Sequence, residues 1–186
     1  MFGKHMVKLA QPVIREATTV DVYAIRAFHA QSWLDTYPND SAGVPEEWVR
    51  EKWQDWDKED KLAESRQRVE EFLADKNQVY QVAVVGSEVV ALLHAFRHAE
   101  GQDLGALYVA KPYQGSGLAQ KLMQIANDFW DSDRPVELVV VDYNDRAKRF
   151  YEKQGFRKVP GSDYLHADKM PSIKMRRAAL QNVKGN

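Results

Sequence analysis

The sequence predicts an α/β fold in which a central mixed, mostly antiparallel sheet is flanked by helices. Three observations lead to this prediction. The N-terminal part has helical periodicity, the middle holds strand-like runs in direct succession, and the C-terminal half alternates strand, helix, strand, helix and strand. Such an order is typical of a sheet that buries both faces under helices.

Length and composition indicate a single domain. With 186 residues, 44% of them hydrophobic, the chain is long enough to bury one core. We expect residues 1–186 to form one domain, in which residues 38–75 are a helical insertion. Residues 1–8 are expected to be either unstructured or left over from cloning, and residues 177–186 to fray.

Charge and cysteine content exclude several functions. With 26 basic and 27 acidic residues the net charge is -1, so no field gathers a polyanion such as nucleic acid. The absence of cysteine excludes a disulfide framework, a thiolate metal site and a cysteine nucleophile, and we predict no metal ion. No apolar run approaches the ~20 residues that span a bilayer, and Met1–Met6 lacks the apolar run of a signal peptide. We therefore predict a cytoplasmic protein without a nucleic-acid or membrane partner.

The N-terminal part is predicted to be one short strand followed by helices. The strand covers Pro12–Arg15, and a helix begins near Thr18 and runs towards Tyr37. The turn-forming residues of Pro38–Pro45 end it, and two charged helical stretches follow from 46 to 75. Apolar side chains with a 3.6-residue period support the first helix: Val22, Ala24, Ile25 and Phe28.

The middle of the chain is predicted to form three strands and a helix. Val79–Val85 and Glu88–Phe96 are rich in β-branched residues, and Gly86-Ser87 between them suits a tight hairpin. Leu104–Val109 is the third strand. The helix after it has an apolar face that consists of Leu118, Leu122, Ile125, Ala126 and Phe129.

The C-terminal third is predicted to repeat strand and helix before closing the sheet. Val136–Val141 is a buried strand, and Asn144 or Asp145 can cap a helix that ends at Gly155. Two closing strands are expected at Phe156–Val159 and Ser172–Arg176, with a polar loop at Pro160–Pro171 between them.

The turn at Gln114–Ala119 lies between a predicted strand and a predicted helix. Gly115 and Gly117 let the backbone approach a bound molecule, and the helix beginning there has unpaired N–H groups. The partial positive charge of the helix end adds to these donors, so a diphosphate fits the turn. A plain loop-to-helix turn would also explain one Gly-x-Gly pair.

Two other phosphate-binding motifs do not fit this turn. A dinucleotide fingerprint requires glycine or alanine where Gln120 stands, and no early βαβ unit precedes it. A P-loop requires Gly-Lys-Ser/Thr, whereas Leu118-Ala119 follows Gly117. Neither a dinucleotide enzyme nor a P-loop hydrolase is therefore expected.

Residues 107–119 resemble the acetyl-CoA-binding signature of the GNAT superfamily of N-acetyltransferases. Residues 144–156 resemble its second signature, with an asparagine, an alanine, a Phe-Tyr pair and a final Gly-Phe. The resemblance covers about residues 104–157 and implies a GNAT-type fold, acetyl-CoA as cosubstrate and direct acetyl transfer to a primary amine. The sequence departs from the pattern at Pro112, where glutamine or arginine is common, and at Gln114, where a basic residue is common, which leaves more of the diphosphate binding to backbone donors.

The resemblance also implies roles for individual residues. The Val109 N–H faces the thioester oxygen, and Tyr151 gives a proton to the coenzyme A thiolate, although a core aromatic is the alternative for Tyr151. Asn144 either bonds pantetheine or caps its helix. The cosubstrate-binding set is Leu107, Tyr108, Val109, Gln114, Gly115, Ser116, Gly117, Leu118, Ala119, Asn144 and Ala147.

The acceptor side is less defined. Asp103 is the candidate base, acting through water or attracting the ammonium, and a solvated turn residue is the alternative; His94 and His98 are further candidates. The insertion at 38–75 is expected on the acceptor side. Five aromatics could bind an ammonium, although core packing is expected for most of them: Trp33, Tyr37, Trp48, Trp53 and Trp56.

Three functions remain open. The favoured one is acetylation of a small-molecule amine, with a homodimer by family analogy. The second is acetylation of a protein, at an N-terminal or lysine amine. The third is a regulatory module that binds acyl-CoA without turnover, against which Tyr151 and Asp103 argue.

Overall fold

The computed structural model describes residues 10–179. The prediction for residues 1–8 lies outside this range, as does most of the stretch predicted to fray. The α-helices are Val22–Thr36 (α1), Glu46–Trp53 (α2), Glu59–Ala74 (α3), Leu118–Phe129 (α4) and Asp145–Lys153 (α5). The strands are Val13–Glu16 (β1), Gln78–Val85 (β2), Glu88–Arg97 (β3), Gln102–Val109 (β4), Val136–Val141 (β5), Arg157–Lys158 (β6), Tyr164–His166 (β7) and Met170–Arg177 (β8).

The eight strands form one sheet. Their order is β1-β2-β3-β4-β5-β8-β6, and β7 also pairs with β8. The pair β4–β5 is parallel and the other pairs are antiparallel. A single parallel pair is what a strand–helix–strand connection through α4 produces. The prediction of a mixed, mostly antiparallel sheet with helices around it is confirmed.

Strands β4 and β5 separate after a short pairing. Their ladder runs only from Gln102–Leu104 against Val136–Leu138. Beyond it β4 continues to Val109 and β5 to Val141, and no pairing between them is present there in the described chain. The sheet therefore contains an internal gap with two unpaired backbone edges.

A β-bulge at Gly105 lies where the gap begins. His94 pairs with Ala106 while Ala95 pairs with Leu104, so Gly105 is an extra residue in β4. A Cβ on Gly105 would lie 2.9 Å from His94 Nδ1 and 3.0 Å from Phe96 Cε1. Only glycine fits this close approach, and the bulge bends β4 away from the regular ladder.

The two faces of the sheet carry different helices. On one face the α4 side chains Leu122 and Met123 are fully buried beside Phe156. On the other face Ile25 and Phe28 of α1 pack against Val82 of β2. The gap between β4 and β5 therefore connects an α4 side of the sheet with an α1 side.

The start of α1 is fixed by charge. Arg15 donates two hydrogen bonds of 2.7 Å to the Asp21 carboxylate, which also accepts from the backbone N–H of Thr18 at 2.8 Å. The guanidinium of Arg15 lowers the pKa of Asp21 to about 2. This arrangement ties β1 to the beginning of α1, the helix that carries one wall of the candidate site.

The prediction of a loop at Pro160–Pro171 is wrong in part, because β7 lies within it. Tyr164 pairs with Ser172 and His166 with Met170. The hairpin turns through Ala167 and Asp168, which both have positive φ, 50° and 58°. All three residues of β7 are exposed, so no apolar alternation marks the strand, and no glycine marks its turn.

Candidate active site

A cavity of about 310 Å³ lies at the gap between β4 and β5. We define two walls by their residues. The glycine-turn wall, on the α4 and α5 side, consists of Val109, Gln114, Asn144, Arg146, Ala147 and Tyr151. The aromatic wall, from α1 and β4, consists of His29, Trp33, Tyr37 and Tyr108.

The glycine turn has the backbone that the sequence predicts. Gly115 has φ 80° and Gly117 has φ 86°, a left-handed conformation that strains any residue with a Cβ. A Cβ built on either glycine has no atom within 4 Å, so the turn faces open space. The turn is therefore both shaped by its glycines and accessible.

Backbone donors at this turn are free. Ser116 N donates to Tyr113 O at 3.3 Å, and Leu118 N lies 3.4 Å from the hydroxyl of Ser116. Across residues 10–179, no acceptor is present for the N–H groups of Gly115, Gly117, Ala119 and Gln120. Together with the positive end of α4, these N–H groups form a site for an anion.

Val109 directs its backbone into the gap. Ala110 N donates to Val90 O of β3 at 2.9 Å. Because successive residues of a strand point their N–H groups to opposite sides, the Val109 N–H points away from β3. Its carbonyl, on the same side, accepts from Gln114 Nε2 at 3.0 Å. A carbonyl compound in the gap would meet the Val109 N–H.

Asn144 caps α5. Its Oδ1 accepts from Ala147 N at 3.0 Å, which is the capping alternative of the sequence analysis. The cap uses the side-chain oxygen and leaves the amide N–H groups for another partner. Asn144 and Ala147 both line the cavity.

Tyr151 combines a core position with a position on the cavity. It is 9% exposed, and its ring lies 6.0 Å from that of Phe156. Burial, with a smaller effect of Tyr37, raises the pKa of Tyr151 well above its usual range. The phenol therefore stays protonated and has a proton to give.

The aromatic wall holds a pair of hydroxyl groups. Tyr37 Oη and Tyr108 Oη are 2.7 Å apart, and Tyr143 Oη donates to Tyr37 O at 2.8 Å. Burial raises the pKa of Tyr108 to about 12. Burial, followed by the charge of Arg26, lowers the pKa of His29 to about 4. The side chains of this wall are therefore uncharged near neutral pH.

The other predicted aromatics lie at different places. The Trp53 ring is 4.9 Å from His29 and 5.6 Å from Trp33, so it supports the aromatic wall from behind. Trp48 packs in the cluster around Val44 and Val49, which are fully buried. Trp56 lies against Tyr23, with ring centroids 5.1 Å apart.

The three candidate bases do not line the cavity. Asp103 begins β4, and its Oδ2 lies 2.5 Å from His98 Nε2. His94 Nε2 lies 2.7 Å from Gln78 Oε1. Burial lowers the pKa of His94 to about 4.

Four ionisable residues line the cavity that the sequence analysis did not select: His29, Asp35, Arg146 and His166. His29, Trp33 and Tyr37 follow each other at intervals of four residues, so their shared helix face could have indicated His29. Arg146 lies inside the second motif. His166 belongs to β7, which had no sequence signal.

Residues 10–179 contain neither a membrane-spanning helix nor a metal-binding group of side chains. No helix there is both long and apolar enough to cross a bilayer. Nor does that part of the chain bring together three His, Asp or Glu side chains in a group that could bind a metal ion.

Comparison with known proteins identifies a family. A model of the acetyltransferase (GNAT) domain matches residues 45–178, which is most of the chain. No curated protein sequence is significantly similar to it.

Solved structures share the fold at low sequence identity. The PaiA N-acetyltransferase from Thermoplasma acidophilum, in complex with coenzyme A, is 19% identical with a TM-score of 0.67, over 91% of this chain and 99% of the other. A GNAT-family acetyltransferase from Streptococcus pneumoniae is 18% identical with a TM-score of 0.65, over 90% and 99%. Ard1 from Thermoplasma volcanium is 19% identical with a TM-score of 0.58, over 92% and 100%.

Proposed function

Because this chain belongs to the GNAT acetyltransferase family, and is therefore an N-acetyltransferase that uses acetyl-CoA, we propose that its acceptor is the primary amine of a small molecule. The observation that carries the proposal is the single cavity of about 310 Å³ that both walls line across the gap. Its volume lies at the lower end of the range for small-molecule sites.

The glycine-turn wall holds the donor in this proposal. The coenzyme A diphosphate binds the free N–H groups of the turn at Gln114–Ala119, and pantetheine runs along Leu107–Val109 in the gap. Asn144 and Ala147 contact the pantetheine arm. The Val109 N–H then donates to the thioester oxygen and stabilises it as it becomes anionic.

Tyr151 acts on the leaving group. The amine attacks the thioester carbon, and the tetrahedral intermediate collapses with cleavage of the carbon–sulfur bond. Tyr151 gives its proton to the departing thiolate, the nitrogen loses one proton to solvent, and the Tyr151 phenolate then takes up a proton from solvent. Because burial raises its pKa, the phenol is protonated at neutral pH and therefore has a proton to give.

The packing of the insertion favours a compact acceptor. Val44 and Val49 are fully buried in a cluster that includes Trp33 and Tyr37 of the aromatic wall. Residues 38–53 thus pack onto this wall. Asp35 is the one acidic residue lining the cavity within the described chain, and its carboxylate is paired with Lys111 Nζ at 2.8 Å.

A binding and turnover experiment tests the proposal. We expect micromolar binding of acetyl-CoA by calorimetry, and thiol release in the presence of at least one small primary amine. Peptides with a free N-terminus or a lysine are tested in parallel. Turnover with peptides but with no small amine would indicate a protein acceptor. Binding of acetyl-CoA without thiol release in the presence of any amine would favour the regulatory module.

Two other predictions belong to the same proposal. The homodimer is tested by size-exclusion chromatography with light scattering, where a mass near twice 21.4 kDa is expected. The cytoplasmic location is tested by fractionation of the source cells.

A further inference from the structure

We propose that Arg146 is the cation that holds the coenzyme A diphosphate on the glycine turn. This inference rests on the proposed placement of the donor. Positions 112 and 114 of the turn are Pro112 and Gln114, so neither supplies a positive charge. In this inference the positive charge comes from α5 instead.

The position of Arg146 is fixed from two sides. It is the second residue of α5, whose first turn is capped by Asn144. Its Nη1 donates to Gln114 Oε1, while Gln114 Nε2 donates to Val109 O at 3.0 Å. The guanidinium is thereby tied to the first residue of the glycine turn, next to the free N–H groups of Gly115 and Gly117.

Other cations near the cavity are engaged elsewhere. Lys111 Nζ lies 2.8 Å from the Asp35 carboxylate. Lys148 Nζ lies 3.2 Å from Asp142 and 3.1 Å from Asp145. Among the described lining residues, Arg146 is the one arginine or lysine, and no carboxylate of the described chain forms an ion pair with it.

The chemistry of the side chain fits a diphosphate. A guanidinium has five N–H donors in a planar fork that matches phosphate oxygens. The contact with Gln114 uses one nitrogen and leaves the others for an anion. Charge-assisted hydrogen bonds of this kind are stronger than those of neutral backbone donors, so Arg146 adds to the backbone cradle.

The test compares R146M with R149M. Arg149 lies one turn further along α5, is exposed and does not line the cavity, so it is the matched control. Binding of coenzyme A, dephospho-coenzyme A and pantetheine is measured by calorimetry, with circular dichroism to confirm folding. We expect R146M to weaken the binding of coenzyme A and of dephospho-coenzyme A equally, by about 10- to 100-fold. Its binding of pantetheine should be unchanged. R149M should bind all three as the unmodified protein does.

Three outcomes would overturn the inference. Loss of coenzyme A binding with normal dephospho-coenzyme A binding would assign Arg146 to the 3′-phosphate. An equal loss of pantetheine binding would show that Arg146 only supports the structure of the turn. Unchanged binding of all three would show that the backbone suffices. Failure of the unmodified protein to bind coenzyme A would instead contradict the placement of the donor.

Discussion

The two walls of the cavity differ in the groups that they offer to a bound molecule, which are backbone groups on one side and side chains on the other. The glycine-turn wall comes from two short stretches of sequence, 109–114 and 144–151, and it adjoins the free backbone N–H groups of Gly115 and Gly117. The aromatic wall presents side chains of α1 and of Tyr108, which are far apart in sequence. Backbone groups are the same in every residue, so a site built on them depends on conformation and tolerates side-chain change. A site built on side chains can change its specificity by single substitutions.

This difference divides recognition between the walls. In the proposed arrangement the donor is one invariant compound, and a backbone conformation set by two left-handed glycines, together with Arg146, binds its diphosphate. The acceptor is what distinguishes one enzyme of the family from another, and in the proposed arrangement it would meet the aromatic wall. Four predictions test this division.

The largest effect is expected for Tyr151→Phe, which removes the one proposed catalytic side chain of the glycine-turn wall. We expect kcat to fall by at least about 100-fold, while the dissociation constant of acetyl-CoA stays within about threefold of its original value. Fixed-time assays of thiol release measure kcat, and calorimetry measures the dissociation constant. Tyr164→Phe, on exposed β7, is the control. Equal losses of binding and turnover would show that Tyr151 serves only the core.

A tenfold effect is expected from the glycine turn. Gly117→Ala and Gly86→Ala both place a Cβ at positive φ, 86° and 60°, with nothing within 4 Å. Each should destabilise the fold by about 1–2 kcal/mol. Only Gly117→Ala should also weaken acetyl-CoA binding, by about tenfold, because it alters the cradle. Similar binding by both variants would mean that the backbone conformation at 117 is not what holds the diphosphate.

Acid should lower the stability of the folded protein, because the aromatic wall contains a buried histidine. The pKa of buried His29 is about 4 against an ordinary value of 6.5, so below pH 6.5 the unfolded chain binds a proton that the folded protein does not. Stability is complete above that pH and falls towards pH 4, by at most about 1.4 kcal/mol per pH unit for this group. Urea unfolding at about pH 7.5 and 5.5 measures the loss, to which His94 adds in the same direction.

Two histidine variants separate the contributions. His29→Gln should lose its share of the acid sensitivity. His98, exposed between Glu100 and Asp103, has a raised pKa, so protonation stabilises the fold there and His98→Gln should make the loss in acid steeper. A His29→Gln variant as acid-sensitive as the original protein would contradict the burial of His29.

The smallest effect is expected for Asp103→Asn. Because Asp103 contacts His98 and does not line the cavity, we expect kcat/KM to change by less than about threefold. The role of Asp103 as a base stays a prediction until this variant is assayed. A loss of about 100-fold, as for a general base, would support that role and would extend the functional site beyond both walls.

Local patterns were sufficient for most of the fold and for the glycine-turn wall except Arg146. The predicted strand Val136–Val141 has its predicted bounds, and the helix after the turn begins at Leu118 as its apolar face indicates. The family, the enzyme class and the use of acetyl-CoA are confirmed as well. These features depend on residues that are neighbours in sequence, so short-range spacing contains the information.

The sequence was not sufficient to predict which residues from distant segments lie at the cavity. Asp103 is correctly placed at the start of a strand, but six residues at ~3.3 Å each put it about 20 Å from Val109. Its carboxylate therefore lies at the other end of β4. His166 reaches the cavity on β7, whose turn has two non-glycine residues in the left-handed region. Neither placement follows from periodicity, because each depends on how distant segments pair.

In its proposed place, the cosubstrate would fill the gap between β4 and β5 and become part of the sheet. Both strands leave an edge unpaired beyond Leu104 and Leu138, and the pantetheine arm in its proposed place would complete the missing rungs. A compound that binds only the folded state at a hundredfold excess over its dissociation constant stabilises that state by about 2.7 kcal/mol. The amount of folded enzyme would then follow the supply of acetyl-CoA, and proteolysis of this protein would increase when acetyl-CoA is scarce.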